Sequence, residues 1–212
     1  MLRRLFLLLA ASLPAFLAPV AASAAESNPE DTLYMETGFG RVVIQLRPDL
    51  APETCAHIKK LVRAGFYDGV VFHRVIAGFM AQGGDPTGTG TGGSGQKVHA
   101  EFSQSEHFVR GTVGLARASD PNSGDSQFFI MFAAAPALDG KYTIFGKVVS
   151  GMEYVDMLKK GDPANNGMVT NPDKIIRMRV AADVMSAEEK AKLPKPKAPT
   201  DPTLGEMPKL HQ

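Results

Sequence analysis

The residues best suited to chemistry sit in two apolar stretches that also carry polar amides. The first reads Phe72-His73-Arg74-Val75-Ile76-Ala77-Gly78-Phe79-Met80-Ala81-Gln82-Gly83-Gly84-Asp85, and the second Gln127-Phe128-Phe129-Ile130-Met131-Phe132. Side chains alternate along a strand, which predicts Phe79 and Ala81 on one face and Met80 and Gln82 on the other. A plain core strand would leave the Gln82 amide among apolar neighbours, where it needs partners. Arg74, Gln82 and Gln127 beside methionine and phenylalanine instead compose a hydrophobic pocket with a few orienting polar groups. Such a set supplies a cation and amide hydrogen bonds rather than a nucleophile and its base.

Other strings that spell chemistry fail on context. Gly88-x-Gly90-x-x-Gly93 matches a dinucleotide fingerprint in letters. No strand runs into it and no helical pattern follows, so its glycines serve backbone turns. Gly124-Asp125-Ser126 resembles a serine nucleophile motif, but the next residue opens an apolar strand and no strand-nucleophile-helix elbow is visible. His57, His73, His99, His107 and His211 show no short ligand spacing and have no cysteine partners. A metal site is therefore not expected.

The stretch at 72–85, together with Ser126-Gln127-Phe128-Phe129-Ile130 and Leu138-Asp139-Gly140-Lys141-Tyr142-Thr143-Ile144-Phe145-Gly146-Lys147-Val148, resembles the cyclophilin family of peptidyl-prolyl cis/trans isomerases. The resemblance spans about residues 31–184 and has the three motifs in the family's order. It implies an enzyme that rotates X–Pro bonds without cofactor or metal, on proline-containing polypeptides, with its groove on the outer face of an eight-stranded barrel. It makes Arg74 the catalytic arginine. Phe79, Met80, Phe129 and Leu138 would line the pocket for the proline ring, while Gln82 and Gln127 would bond the substrate backbone. Ala116 and Arg117 would form a ledge beside it, with Tyr142 nearby, and Gly90 would border a second pocket.

Three positions depart from the family. Arg117 stands where many eukaryotic members have asparagine, and Tyr142 where they have histidine. Ala137 replaces the family's drug-contacting tryptophan, in a chain with no tryptophan. That implies weak inhibition by cyclosporin. An alternative reading, a non-catalytic binding module or chaperone for proline segments, shares the pocket but does not explain Arg74.

The elements needed to position these residues are mostly short strands. Thr32-Leu33-Tyr34-Met35-Glu36-Thr37 and Arg41-Val42-Val43-Ile44-Gln45-Leu46, joined at Gly38-Phe39-Gly40, predict a hairpin. Pro52 and Glu53 suit the first turn of a helix that carries Cys55, Ile58, Lys59, Leu61 and Val62 and ends at Gly65. Cys55 is expected as a small buried residue of this helix. Strands are predicted at 70–72, 79–82, 111–116, 127–132, 142–149 and 174–184, with a glycine-rich loop at 83–99 and a second helix at 151–160. The resulting fold class is mainly β, a closed eight-stranded antiparallel barrel capped by two α-helices, because closure removes exposed strand edges.

The ends read differently from this block. Arg3 and Arg4, an apolar run from Leu5 to about Val20, and Ala22-Ser23-Ala24 predict a secretory signal over residues 1–24, cut before Ala25. The run falls short of the ~20 apolar residues of a spanning helix and contains Pro14 and Pro19, so no membrane anchor is expected. The expected location is the periplasm of a bacterium, or the medium. Removing the signal leaves 21 basic against 22 acidic residues, which excludes an electrostatic footprint for nucleic acid. One cysteine allows no internal disulfide, so the domain at 31–185 must rest on its core. Residues 186–212 hold prolines at 194, 196, 199, 202 and 208 and few large apolar residues, the composition of a disordered tail. The isomerase is expected to act as a monomer.

Overall fold

The computed structural model describes residues 28–186; the signal predicted over 1–24 and all but the first residue of the tail predicted over 186–212 lie outside the described residues. Eight strands form one antiparallel sheet: β1 Thr32–Thr37, β2 Arg41–Leu46, β3 Arg74–Ile76, β4 Met80–Gly83, β5 Thr112–Leu115, β6 Phe128–Met131, β7 Ile144–Ser150 and β8 Ile175–Val180. Their order is β3-β4-β6-β5-β7-β2-β1-β8. Three helices accompany them: α1 Pro52–Arg63, α2 Met152–Asp156 and α3 Ala181–Val184.

The sheet curls until its edge strands approach. No ladder joins β3 to β8 among the described residues. The segments preceding them meet instead through an isolated bridge, Val71 with Lys174, and backbone bonds from Phe72 to Asp173 and from Ile175 to Val70. The result is a curled half-barrel with a short seam, where the sequence predicts full closure.

Alternation makes the first hairpin. Leu33 and Met35 of β1, and Val42, Ile44 and Leu46 of β2, are all buried, while Tyr34 and Glu36 between them face outward. α1 turns Thr54, Cys55, His57, Ile58, Leu61 and Val62 inward and packs on β8. Its N-cap, Ala51, has no capping side chain. The Glu101 carboxylate does that work from afar, accepting from the amides of Glu53 and Thr54 at 2.9 Å each and from the Thr54 hydroxyl at 2.7 Å. Cys55 is fully buried, and burial pushes its thiol up to about 12.

Three predicted elements are corrected. Within residues 70–72 only Val71 is bridged, to Asp85 and Lys174, and the strand begins at Arg74. The second helix stops at Asp156 rather than Lys160. Beyond it the amides of Lys159 and Gly161 are taken by the Asp173 carboxylate and the Val75 carbonyl, and Leu158 turns into the core. β8 ends at Val180, opposite Leu33, because its partner β1 begins only one residue further, at Thr32. The chain then winds into α3 instead of extending to residue 184.

Alternation through the sheet feeds two apolar clusters. Val75, Ala81, Val113, Phe128 and Ile130 belong to the main core under α1. Met80, Phe129, Met131 and Ile144 point to the other face and form a second cluster with Phe108. Burying side chains of this size contributes on the order of 1.5–3 kcal/mol each. The second cluster is the floor of the site.

Candidate active site

Above that floor lies a pocket of about 210 Å³ lined by Arg74, Phe79, Met80, Gln82, Ala116, Arg117, Phe129, Leu138 and Tyr142. A larger neighbour of about 450 Å³ shares Gln82, Ala116 and Arg117 with it and adds Gly90 and Gln127. Every site residue proposed from sequence thus borders one of two adjoining pockets. Phe79 does so against the predicted alternation. It precedes β4 in a turn closed by its own amide on Ile76 O, so it joins Met80 rather than opposing it.

The aromatic rings set the shape of the smaller pocket. Phe129 stacks on Phe108 at 5.6 Å between centroids, and Tyr142 stands edge-on to Phe129 at 5.8 Å. The Arg117 guanidinium lies 4.5 Å over the Tyr142 ring. Its N–H groups donate to the carbonyls of Lys141, Ala118 and Ser119, so Arg117 ties the end of β5 to the loop before β7.

Arg74 is held from both sides. Its Nε donates to Asn166 O at 2.9 Å and its Nη2 to Asn166 Oδ1 at 3.0 Å, while Nη1 donates to Gln82 Oε1 at 3.1 Å. These partners are neutral, and no carboxylate pairs with Arg74 among the described residues. Partial burial draws the guanidinium below its ordinary value, with Tyr142 acting in the opposite direction. An arginine nevertheless stays charged at neutral pH. The charge is fixed, oriented and uncompensated at the pocket wall.

A directional relay leads away from it. Arginine can only donate, so Gln82 must present its oxygen to Arg74 and its nitrogen onward. Gln82 Nε2 donates to Gln127 Oε1 at 2.9 Å. Gln127 Nε2 in turn donates to Gly90 O at 3.0 Å and Gly92 O at 2.8 Å. The cation at one end and two carbonyls at the other fix which way both amides face.

The glycine loop that supplies those carbonyls wraps around Asp85. This fully buried carboxylate accepts from the amides of Thr87, Thr89, Gly90 and Gly92 and from the Thr87 hydroxyl. Burial works against its charge, but these hydrogen bonds outweigh it and hold the group at about 2. The amides that would cradle a phosphate in a nucleotide-binding loop are occupied by the chain's own anion. Ser126 is equally structural: it is buried, its hydroxyl donates to Gly84 O at 2.7 Å, and its carbonyl accepts from Tyr67. Gly84 sits at φ +87 with no room for a side chain, since a Cβ would lie 2.3 Å from Ser126 O.

The histidines do not converge. His57 lies beside Asp125, His73 contacts the loop at Gly90, His99 faces Glu53 and His107 faces Asp139; His211 is outside the described residues. Sequence reasoning missed the parts played by Asn166, Phe108 and Asp85. Only Asn166 had a local signal, the Asn165-Asn166-Gly167 turn with left-handed backbone at Asn166 and Gly167. Nothing in that triplet says it folds against Arg74.

A curled antiparallel sheet carrying a fixed cation over an apolar pocket, with amides beside it, has the features of a binding groove for a small apolar group on a polar backbone. Comparison with known proteins narrows the class. Residues 32–180 match the model of the cyclophilin type peptidyl-prolyl cis-trans isomerase/CLD family. A probable peptidyl-prolyl cis-trans isomerase of Brucella suis is 54% identical over 173 residues, covering 76% of this chain and 88% of the relative. A peptidyl-prolyl cis-trans isomerase of Schizosaccharomyces pombe is 49% identical over 147 residues, covering 68% and 94%. Among solved structures, a cyclophilin type isomerase of Cryptosporidium parvum, crystallised in the presence of the dipeptide Ala-Pro, matches with a TM-score of 0.64. It is 31% identical and the match covers 70% of this chain and 98% of that one. The chain belongs to the cyclophilin family, and as an enzyme it is a peptidyl-prolyl cis-trans isomerase.

Proposed function

We propose that the smaller pocket takes the proline ring of an extended polypeptide and that Arg74 is the catalytic residue, acting on exported proteins that are still folding. Rotation about a peptide bond faces a barrier of ~18–20 kcal/mol because the C–N bond is partly double. In the twisted state the proline nitrogen pyramidalises and regains its lone pair. A guanidinium aimed at that nitrogen stabilises the twisted state more than the planar one, and only such differential binding speeds the step. Lowering the barrier by ~7 kcal/mol corresponds to about 10⁵-fold.

The observation that carries this reading is the uncompensated Arg74 cation, held by Asn166 and Gln82 at the wall of an apolar pocket. Phe79, Met80, Phe129 and Leu138 grip the ring, with Tyr142, Ala116 and Arg117 closing the rim. Gln82 and Gln127 hold the adjoining backbone, and the loop at Gly90 borders the next residues of the substrate. Holding one side of the bond leaves the other free to turn. The Cryptosporidium relative, crystallised with Ala-Pro, is in keeping with a proline-containing substrate.

The amino-terminal signal pattern supports action in the periplasm or outside the cell, and we take a monomer as the working state. The test is cis/trans exchange of an Ala-Pro peptide followed by NMR, with wild type beside Arg74→Ala. Acceleration by wild type alone supports the reading. Equal acceleration by both would remove Arg74 from the mechanism, and none by folded wild type would favour a binding module.

A further inference from the structure

The larger pocket carries a charge that the isomerase chemistry does not use. Lys97 and Arg117 both line it, together with Thr91, Ser123 and Asp125. The two cations differ in freedom. Arg117 spends its N–H groups on the carbonyls of Lys141, Ala118 and Ser119. Lys97 is exposed and makes no hydrogen bond or ion pair among the described residues.

The single anion among the residues lining the pocket is already engaged by the chain. Asp125 accepts from the Ser94 amide at 3.1 Å, from the Ser94 hydroxyl, and from the Gly95 amide at 2.9 Å. The buried His57 ring stands 3.6 Å from its Oδ1. The Asp125 oxygens thus hold the glycine loop in place, while the ammonium of Lys97 is left for whatever enters. Two cations against one committed carboxylate give the pocket a positive balance.

We infer that Lys97, backed by the Arg117 charge, is a specificity-determining residue that favours proline substrates carrying an aspartate or glutamate near the proline. The inference rests on the isomerase reading above, because the pocket shares Gln82, Ala116 and Arg117 with the one that would take the ring. An acidic side chain of the same polypeptide then reaches Lys97 without any change in the chemical step. The interaction is solvent-exposed, so it adds a modest factor to affinity and is screened by salt.

The test uses Ala-Pro peptides in which glutamate, glutamine or lysine is placed in turn at each of several positions on either side of the dipeptide. NMR exchange gives kcat/KM for wild type, Lys97→Gln and Lys97→Glu at low and high salt. The expected result is a preference of about two- to fivefold for glutamate over glutamine at one position, with lysine poorest. High salt compresses it, Lys97→Gln reduces it, and Lys97→Glu reverses the order of glutamate and lysine. Each ratio is internal to one variant, so it can be read whatever that variant's total activity. Equal rates for all three side chains at every position, or a glutamate preference that persists in Lys97→Glu, would overturn the inference while leaving the isomerase reading intact. Failure to accelerate even the neutral peptide would overturn both.

Discussion

Asp85→Asn replaces one carboxylate oxygen by an amide nitrogen and barely changes the shape of the side chain. Its effect follows from the donors gathered around that group. Oδ1 faces the Thr87 amide at 2.7 Å, and Oδ2 faces the amides of Thr89, Gly90 and Gly92 at 3.1, 2.6 and 3.1 Å. Whichever way asparagine turns, at least one backbone N–H meets another donor. The pKa of Asp85 is lowered from 3.8 to about 2, which corresponds to about 2–3 kcal/mol of folding stability at neutral pH. Because the folded value is the depressed one, this stability is complete above the unfolded value and is lost as pH falls from about 4 through about 2. Urea unfolding should therefore show wild type more stable than Asp85→Asn by about 2–3 kcal/mol at pH 7, with the gap near pH 3 reduced to about half. Turnover should fall too, by about fivefold, as Gly90 and Gly92 shift and Gln127 loses a hydrogen bond worth about 1 kcal/mol. A gap that stays constant between pH 7 and pH 3 would refute the charge assigned to Asp85. Full turnover in the destabilised variant would break the proposed link from the loop to Gln127.

Three further outcomes are expected. Arg74→Lys keeps the charge but cannot bond both Asn166 and Gln82 in one plane, so NMR exchange should show activity between that of wild type and Arg74→Ala; full wild-type activity would argue against the planar fork. Gly84→Ala must relieve a Cβ placed 2.3 Å from Ser126 O and 2.9 Å from Gln127 Cα, at φ +87. A loss of about 3 kcal/mol in urea unfolding is expected, and a neutral substitution would contradict this local geometry. Cyclosporin should inhibit weakly, since Ala137 stands exposed beside Leu138 where the family's tryptophan would be; nanomolar inhibition in the exchange assay would contradict that.

Much of the site was legible because its parts are short and local. Arg74 and Gln82 lie in one segment, and their pairing across β3 and β4 follows from a turn of three residues. Gln127 and Phe129 share a strand, two residues apart and therefore on one face. Phe79 shows where that logic ends. Alternation holds only within a strand, and the ladder begins one residue later than its apolar run suggests.

What the sequence determined by itself was the run of strand-forming segments, the amphipathic helix, and the motifs that mark the groove. The strands and the helix are written in the spacing of neighbouring residues, which the periods of helix and strand make readable, whereas the motifs were recognised through their resemblance to a family. The tertiary structure decided which distant groups complete them. Glu101 caps α1 from 47 residues beyond Thr54, and Asn166 holds Arg74 from 92 residues away. Lys97 comes to border the pocket beside Gln127 only when the glycine loop closes around Asp85 and Asp125. Each such contact depends on how the whole sheet curls, because a buried or orienting polar group takes its partner from whatever segment folding brings within hydrogen-bond reach. No local pattern names that segment in advance.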